Sequence, residues 1–173
     1  MNIPKAIEQA FAAGIRKNGG EIGAGVVIRC WQSLADDASW KMPTDRQFPM
    51  LDIRCTPPES DDIERTMISD CSLLCATKTD DDKDHAAVSA LYGAVQDYCD
   101  RLFAGAGGNS ESEAIYTEFN AELLARIAEQ ESAATGTATV DGITFGSPLA
   151  PYDDDGVNMI GLVVRVHYSR SDF

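Results

Sequence analysis

The residues best suited to chemistry in this chain are its cysteines and histidines. They are Cys30, Cys55, Cys71, Cys75, Cys99, His85 and His167. A cysteine nucleophile needs a base such as histidine within hydrogen-bonding reach, and neither histidine stands in a recognisable nucleophile motif. A Cys–His pair could still assemble in space. Most of the cysteines lie in apolar stretches, which is more typical of reduced core residues than of bridges. The sequence therefore predicts no catalytic residues.

Metal and phosphate motifs are also missing from the sequence. Cys71 and Cys75 are separated by three residues, whereas common zinc knuckles use two, and no second Cys or His pair matches them. The glycine-rich residues 105–108 are not followed by the Gly-Lys-Ser/Thr of a phosphate loop. We therefore expect no metal and no cofactor.

Two runs of carboxylates are the most distinctive polar features. They are Asp80, Asp81 and Asp82, and Asp153, Asp154 and Asp155. The first run precedes an apolar helical pattern, and the second lies in an Asp-Gly turn between two strand patterns. Both are candidate loops for an interface. An acidic turn tip could coordinate a metal, although solvated turn chemistry is the more frequent use of such residues.

A calcium loop is the functional rival for the first run, because Asp80, Asp82 and Asp84 alternate. An EF-hand needs glycine where this chain has His85, and it needs glutamate where the chain has Leu91. The pattern instead favours helix capping, with Asp84 as the N-cap and the neighbouring carboxylates near the positive end of the helix.

The formal net charge of −14 results from 28 acidic and 14 basic residues. Such a surface repels a phosphate backbone, which disfavours ordinary nucleic-acid binding through counterion release. Solubility alone is a sufficient explanation for the charge. A chain of 173 residues with no apolar run of about 18 residues is predicted to be one soluble domain, residues 1–173, made in the cytosol and not membrane-bound.

Apolar periodicity predicts the elements that position these residues. Helical spacing predicts helices at residues 1–17, 84–103 and 113–131, with a capping box from Ser110 to Glu113. Alternation predicts strands at residues 24–32, 48–55, 67–77, 140–149 and 159–168. Residues 33–47 form a polar surface loop or arm, which Trp40 can anchor. The expected fold is α+β, with a mainly antiparallel sheet that ends in a β-hairpin. The central helix covers the sheet together with the N-terminal and third helices.

This order of elements resembles the tail terminator, or tail completion, proteins of long-tailed bacteriophages. Three segments carry the resemblance: the helical stripe from Ile3 to Ile15, the strand at 67–77 leading into residues 85–91, and the ending with residues 140–143 and 162–168. The resemblance covers most of the chain and lies in length and order rather than in a chemical motif.

The resemblance implies a structural virion protein without enzymatic activity. It would form a homo-oligomeric ring, a hexamer, that caps the tail tube and joins it to the head or neck. Its partners would be itself, the tail tube protein and the head connector, with DNA passing through the central opening. In such a ring, the run Asp80, Asp81 and Asp82 or the run Asp153, Asp154 and Asp155 is expected to face that opening. The alternatives are a tail tube or head-closure protein, a small cytosolic enzyme, or an acidic inhibitor that mimics nucleic acid.

Overall fold

A computed structural model describes residues 2–20, 22, 25–32, 47–61, 66–130, 138–145, 149–154 and 156–170. The predicted arm at 33–47 lies outside this range except for Gln47, and Trp40 lies outside it altogether.

Two long antiparallel strands form the centre of one mixed sheet. These strands, β4 (Thr66–Lys78) and β7 (Val157–Arg170), pair without interruption from Thr66 opposite Ser169 to Lys78 opposite Val157. Shorter strands extend the sheet on both sides: β1 (Val27–Cys30), β2 (Met50–Cys55), β3 (Glu59–Asp61), β5 (Ala138–Phe145) and β6 (Leu149–Asp154). The order is β1-β2-β4-β7-β5, with β3 also on β4 and β6 also on β7. The pair β1–β2 is parallel and the others are antiparallel.

Three helices pack on one face of this sheet. They are α1 (Ile3–Asn18), α2 (Ala86–Ala106) and α3 (Glu113–Gln130). The alternation of apolar residues in β7 places Leu162, Val164, Val166 and Tyr168 under the helices, where all four side chains are buried. The edge-to-face rings of Phe11 and Phe119, 4.9 Å apart, join α1 to α3. The predicted α+β fold, with helices covering a mainly antiparallel sheet, is confirmed.

The opposite face of the sheet, here called the open face, is not covered by α1, α2 or α3. Its side chains belong to the other alternation set of each strand. Its partly exposed apolar residues include Ile68, Leu74, Met159 and Val163. Arg54 and Arg165 also lie on it, as the register of β2, β4 and β7 requires.

The structure corrects the expectation that all five cysteines are reduced. Cys55 and Cys71 form a disulfide, because the register of β2 and β4 places them directly opposite each other with Cα atoms 4.1 Å apart. Cys30, Cys75 and Cys99 are free thiols. Burial in apolar surroundings is common to bridged and free cysteines here, so the sequence context could not distinguish them.

Candidate functional site

The two acidic turns lie side by side at one end of the sheet. The turn after β4 and the turn between β6 and β7 meet because Lys78 and Val157 are the last pair of the central ladder. The Thr79 amide donates to the Gly156 carbonyl at 2.9 Å. The Thr79 hydroxyl lies 3.4 Å from Asp153 Oδ1 and donates to Asn158 Oδ1 at 3.1 Å. Two separate runs in the sequence therefore form one acidic region.

Asp82 differs from its neighbours in this region because its side chain is only 4% exposed. Its carboxylate accepts hydrogen bonds from the Thr77 hydroxyl at 2.7 Å and from the amides of Ala87 and Val88 at 2.8 and 2.9 Å. Burial opposes ionisation of Asp82, but these hydrogen bonds outweigh it, and the pKa of Asp82 lies below its ordinary value. Asp82 is therefore a structural residue rather than part of an exposed loop surface.

The prediction that Asp84 is the N-cap of the central helix is wrong. His85 occupies the cap position with a left-handed backbone (φ 60°), and its side chain makes no capping hydrogen bond. Asp82 binds the free amides of the first turn instead, while Asp84 makes only a 3.3 Å contact with the Ala86 amide. Several carboxylates precede this helix, and only the path of the turn decides which one reaches the amides.

The exposed carboxylates of Asp80, Asp81, Asp84 and Asp153 form what we call the acidic end. Asp80, Asp81 and Asp84 belong to the turn that leads into the positive N-terminus of α2, and Asp153 joins them through the Thr79 contact. The backbone of Asp154 pairs with Val157 in the β6–β7 hairpin. Asp155 lies outside the described residues, as Trp40 does. Of the predicted loop residues, the structure thus places Asp80, Asp81 and Asp153 together on one surface.

The thiols and histidines do not assemble into a Cys–His pair within the described part of the chain. Cys75 and Cys99 are buried, and burial raises the pKa of Cys75 to about 12 and that of Cys99 still further. His85 is exposed, and His167 contacts the Thr144 hydroxyl at 3.3 Å. These thiols remain protonated at neutral pH and are poor nucleophiles.

Sequence reasoning missed a second buried carboxylate, Glu8 of α1. Glu8 is fully buried and accepts hydrogen bonds from the amides of Gln32 (2.7 Å) and Cys55 (2.8 Å). It therefore links the chain after β1 to the end of β2. Burial raises the pKa of Glu8 to about 7, and the nearby Asp52 contributes repulsion. Glu8 follows Ile7 in the apolar stripe of α1, but no local pattern shows that two distant amides need an acceptor.

Asp52, close to Glu8, is also buried, with 2% of its surface exposed. Asp52 Oδ2 accepts a hydrogen bond from Arg54 Nε at 2.6 Å, and its Oδ1 has no hydrogen-bond partner among the described residues. The Arg54 guanidinium also lies 4.4 Å from the centre of the Trp31 ring. One arginine therefore neutralises one of two neighbouring carboxylates.

A groove of about 270 Å³ lies where α1, α2 and α3 meet. A side chain at Gly14 would collide with the Tyr98 hydroxyl, so the glycine allows α2 to approach α1 closely. The mouth is bridged by Lys17 and Glu118, 3.0 Å apart. The groove lining contains neither a cysteine nor a histidine, and its charged groups are already paired.

Comparison with known proteins adds no family assignment. No family model matches the chain, and no curated protein matches it. None of the described helices is long and apolar enough to cross a membrane. In the described part of the chain, no group of three or more His, Cys, Asp or Glu side chains is arranged to hold a metal ion. A function must therefore be argued from the chain's own residues.

Proposed function

We propose that the chain is a tail terminator of a long-tailed bacteriophage, a structural virion protein that forms a homo-oligomeric ring. The ring would cap the tail tube and join it to the head or neck connector. Assembly would take place in the host cytoplasm, and the protein would act without a cofactor and without catalysis.

The observation that carries this proposal is the acidic end. Four exposed carboxylates from two distant parts of the sequence lie together there, on a frame fixed by Asp82 and Asn158. Lys83 is the one cationic residue within the first turn, residues 79–85. We infer that this end faces the central opening of the ring.

A carboxylate lining suits a channel for DNA. Duplex DNA carries one negative charge per about 1.7 Å of its axis, so cationic groups along the channel would bind successive phosphates and hold the duplex. Carboxylates repel the same phosphates and let the duplex move. The repulsion acts over about 10 Å at 0.1 M salt and weakens as salt is added.

Electron microscopy of the purified protein and of assembled tails tests the ring itself. We expect closed rings, and a ring at the head-proximal end of each tail. Long stacked tubes would point to a tail tube protein instead. A uniform monomer under all assembly conditions would contradict the proposal.

Charge reversal tests the position of the acidic end. The double variant Asp81→Lys/Asp153→Lys should still assemble, because both side chains are exposed. Its particles should retain DNA more strongly at low salt. The control Asp100→Lys/Glu111→Lys changes the net charge equally at exposed positions outside the acidic end. Equal DNA retention by the two variants would contradict a channel-facing acidic end.

A further inference from the structure

We propose that the groove where α1, α2 and α3 meet binds a small, uncharged aromatic molecule that carries an oxygen atom, the chemistry of a phenol. The side chain that recognises this oxygen is Tyr98 of α2. The inference does not depend on the proposed ring, because the groove lies between the helices of a single subunit.

Small residues line the groove on two of its helices. Ala10, Ala13 and Gly14 belong to α1, and Ala121 belongs to α3. Because these residues have short side chains or none, the helices leave a space of about 270 Å³ between them. An apolar cavity of about 150 Å³ is enough to bind benzene. The groove therefore has room for one substituted ring.

Two aromatic side chains complete the lining and decide the class of ligand. Tyr98 and Phe119 both line the groove, and each is only 1% exposed. Phe119 also packs edge-to-face on Phe11, which holds its ring in place. Aromatic rings in offset or edge-to-face arrangements attract each other beyond the effect of the area that they bury. The lining therefore favours an aromatic ligand over an aliphatic one of the same size.

The Tyr98 hydroxyl is a buried polar group that still has a proton to donate. It lies against α1 at Gly14, where a Cβ atom would collide with it. The hydroxyl makes no hydrogen bond to any residue that the structure describes. Burial raises the pKa of Tyr98 above its ordinary value, so the hydroxyl keeps its proton at neutral pH. Buried hydroxyl groups normally have a partner, and a ligand oxygen in the groove would supply one.

The charges around the groove favour an uncharged, free molecule. Lys17 is paired with Glu118 at 3.0 Å. Glu122 is paired with Arg126 at 2.6 Å. An ionic ligand would have to compete with these pairs, and the net charge of −14 also repels anions. The pair of Lys17 and Glu118 bridges the mouth, so the ligand is a molecule that fits beneath it rather than a side chain on another protein's surface.

Titration of the full chain with phenol, followed by NMR, tests whether the groove is occupied. Phenol should shift the amide signals of Gly14 and Ala121, with a dissociation constant of about 1 mM for so small a ligand. It should also shift the Cζ signal of Tyr98, whereas toluene, which has no oxygen, should leave that signal nearly unchanged.

Three variants separate recognition by the hydroxyl from occupation of the space. Tyr98→Phe keeps the ring, and the ratio of phenol affinity to toluene affinity should fall about fivefold, the effect of one hydrogen bond. Ala121→Leu fills the groove from an exposed position and should weaken the binding of both compounds at least about tenfold. Ala128→Leu adds the same side chain at an exposed position of α3 outside the groove lining, and it should leave both affinities unchanged.

Several results would overturn the inference and leave the proposed ring protein intact. One is the absence of phenol binding up to about 20 mM, well above the expected dissociation constant. Amide shifts confined to residues outside the groove would be another. An unchanged ratio of affinities in Tyr98→Phe would show that the hydroxyl does not recognise the ligand. Thermal melts check that each variant is folded, and the Cζ signal of wild-type Tyr98 decides the question if Tyr98→Phe does not fold.

Discussion

Asp82 and Glu8 are both buried carboxylates that accept hydrogen bonds from two main-chain amides, yet their pKa values shift in opposite directions. The pKa of Asp82 is lowered, and that of Glu8 is raised to about 7. The hydrogen bonds of Asp82 stabilise the turn at the acidic end, and those of Glu8 stabilise the end of β2. Two main-chain hydrogen bonds alone therefore do not decide whether a buried acid is charged.

The surroundings of the two carboxylates explain the difference. Asp82 lies at the N-terminus of α2, where the helix dipole favours a negative charge, and the Thr77 hydroxyl supplies a third donor. Glu8 lies within α1, where burial is the largest influence, and Asp52 adds repulsion. Arg54 offsets part of this effect, but it donates to Asp52. One region thus stabilises a charge that the other region disfavours.

Removing the Asp82 side chain should have the largest effect on stability. Asp82→Ala leaves the Thr77 hydroxyl and the amides of Ala87 and Val88 without their acceptor. We expect the free energy of unfolding to fall by about 3–4 kcal/mol, measured by urea denaturation. Asp84→Ala is the matched control and should cost less than about 1 kcal/mol. Equal losses would show that Asp82 is not the capping residue.

Loss of the Cys55–Cys71 disulfide should have the next largest effect on stability. This disulfide lies in the same region as Glu8, at the end of β2. Reduction of the bridge should lower the free energy of unfolding by about 3 kcal/mol, because Cys55 and Cys71 are 16 residues apart. Hydrogen exchange should accelerate at the Cys55 and Gln32 amides, which Glu8 holds, and stay slow at Val88. The double variant Cys55→Ala/Cys71→Ala should behave like the reduced protein. Faster exchange at Val88 would mean that the two regions open together.

The pH dependence of stability should follow Glu8 above pH 4.5. The folded protein holds this proton more tightly than the unfolded chain, because the pKa rises from 4.5 to about 7. The free energy of unfolding should therefore fall as the pH rises through this window, by about 3 kcal/mol. Glu8→Gln, which cannot ionise, should remove this slope. A slope that persists in the variant would assign it to another group.

Asp82 should affect the free energy of unfolding only at low pH, and in the opposite direction to Glu8: stability is lost as the pH falls. Its folded pKa is below the ordinary 3.8, so its contribution is present above that value and is lost as the pH falls further. Asp82→Asn should therefore reduce the loss of stability below pH 4 and leave the slope near pH 6 unchanged. A change in the slope near pH 6 would show that the two carboxylates are coupled.

Neutralising an exposed member of the acidic end should have the smallest effect. The side chain of Asp81 is exposed, so Asp81→Asn should change the free energy of unfolding by less than about 0.5 kcal/mol. A larger change would mean that the exposed and buried carboxylates of this end form one network.

The sequence predicts the elements of this fold better than its contacts. The alternation in β7 and the four-residue spacing of Phe119, Leu123 and Ile127 report burial directly, since each follows the geometry of its own element. Strand β3 is only three residues long and has no such pattern. The predicted strand at 140–149 corresponds to β5 as far as Phe145 and to the start of β6 at Leu149, and residues 146–148 lie outside the described part of the chain.

The candidate sites depend on contacts between distant parts of the chain. The acidic end combines turns more than 70 residues apart, and Glu8 binds amides 24 and 47 residues away. The disulfide likewise requires the exact register of β2 and β4. Side-chain periodicity shows which residues are buried. Which residue each of them binds depends on strand register and on the path of the turns, and no local sequence pattern specifies either.

The long pairing of β4 with β7 also affects how the chain is made. Its partners are separated by about 80 to 100 positions, from Lys78 and Val157 to Thr66 and Ser169. A ribosome releases β7 after every other described element, so β4 can pair with β2 and β3 while the edge that β7 will occupy stays unpaired as both later helices are synthesised. Contacts of such long range fold slowly, because the intervening loop must close first. We therefore expect folding to finish only after β7 leaves the ribosome, with chaperones protecting β4 until then.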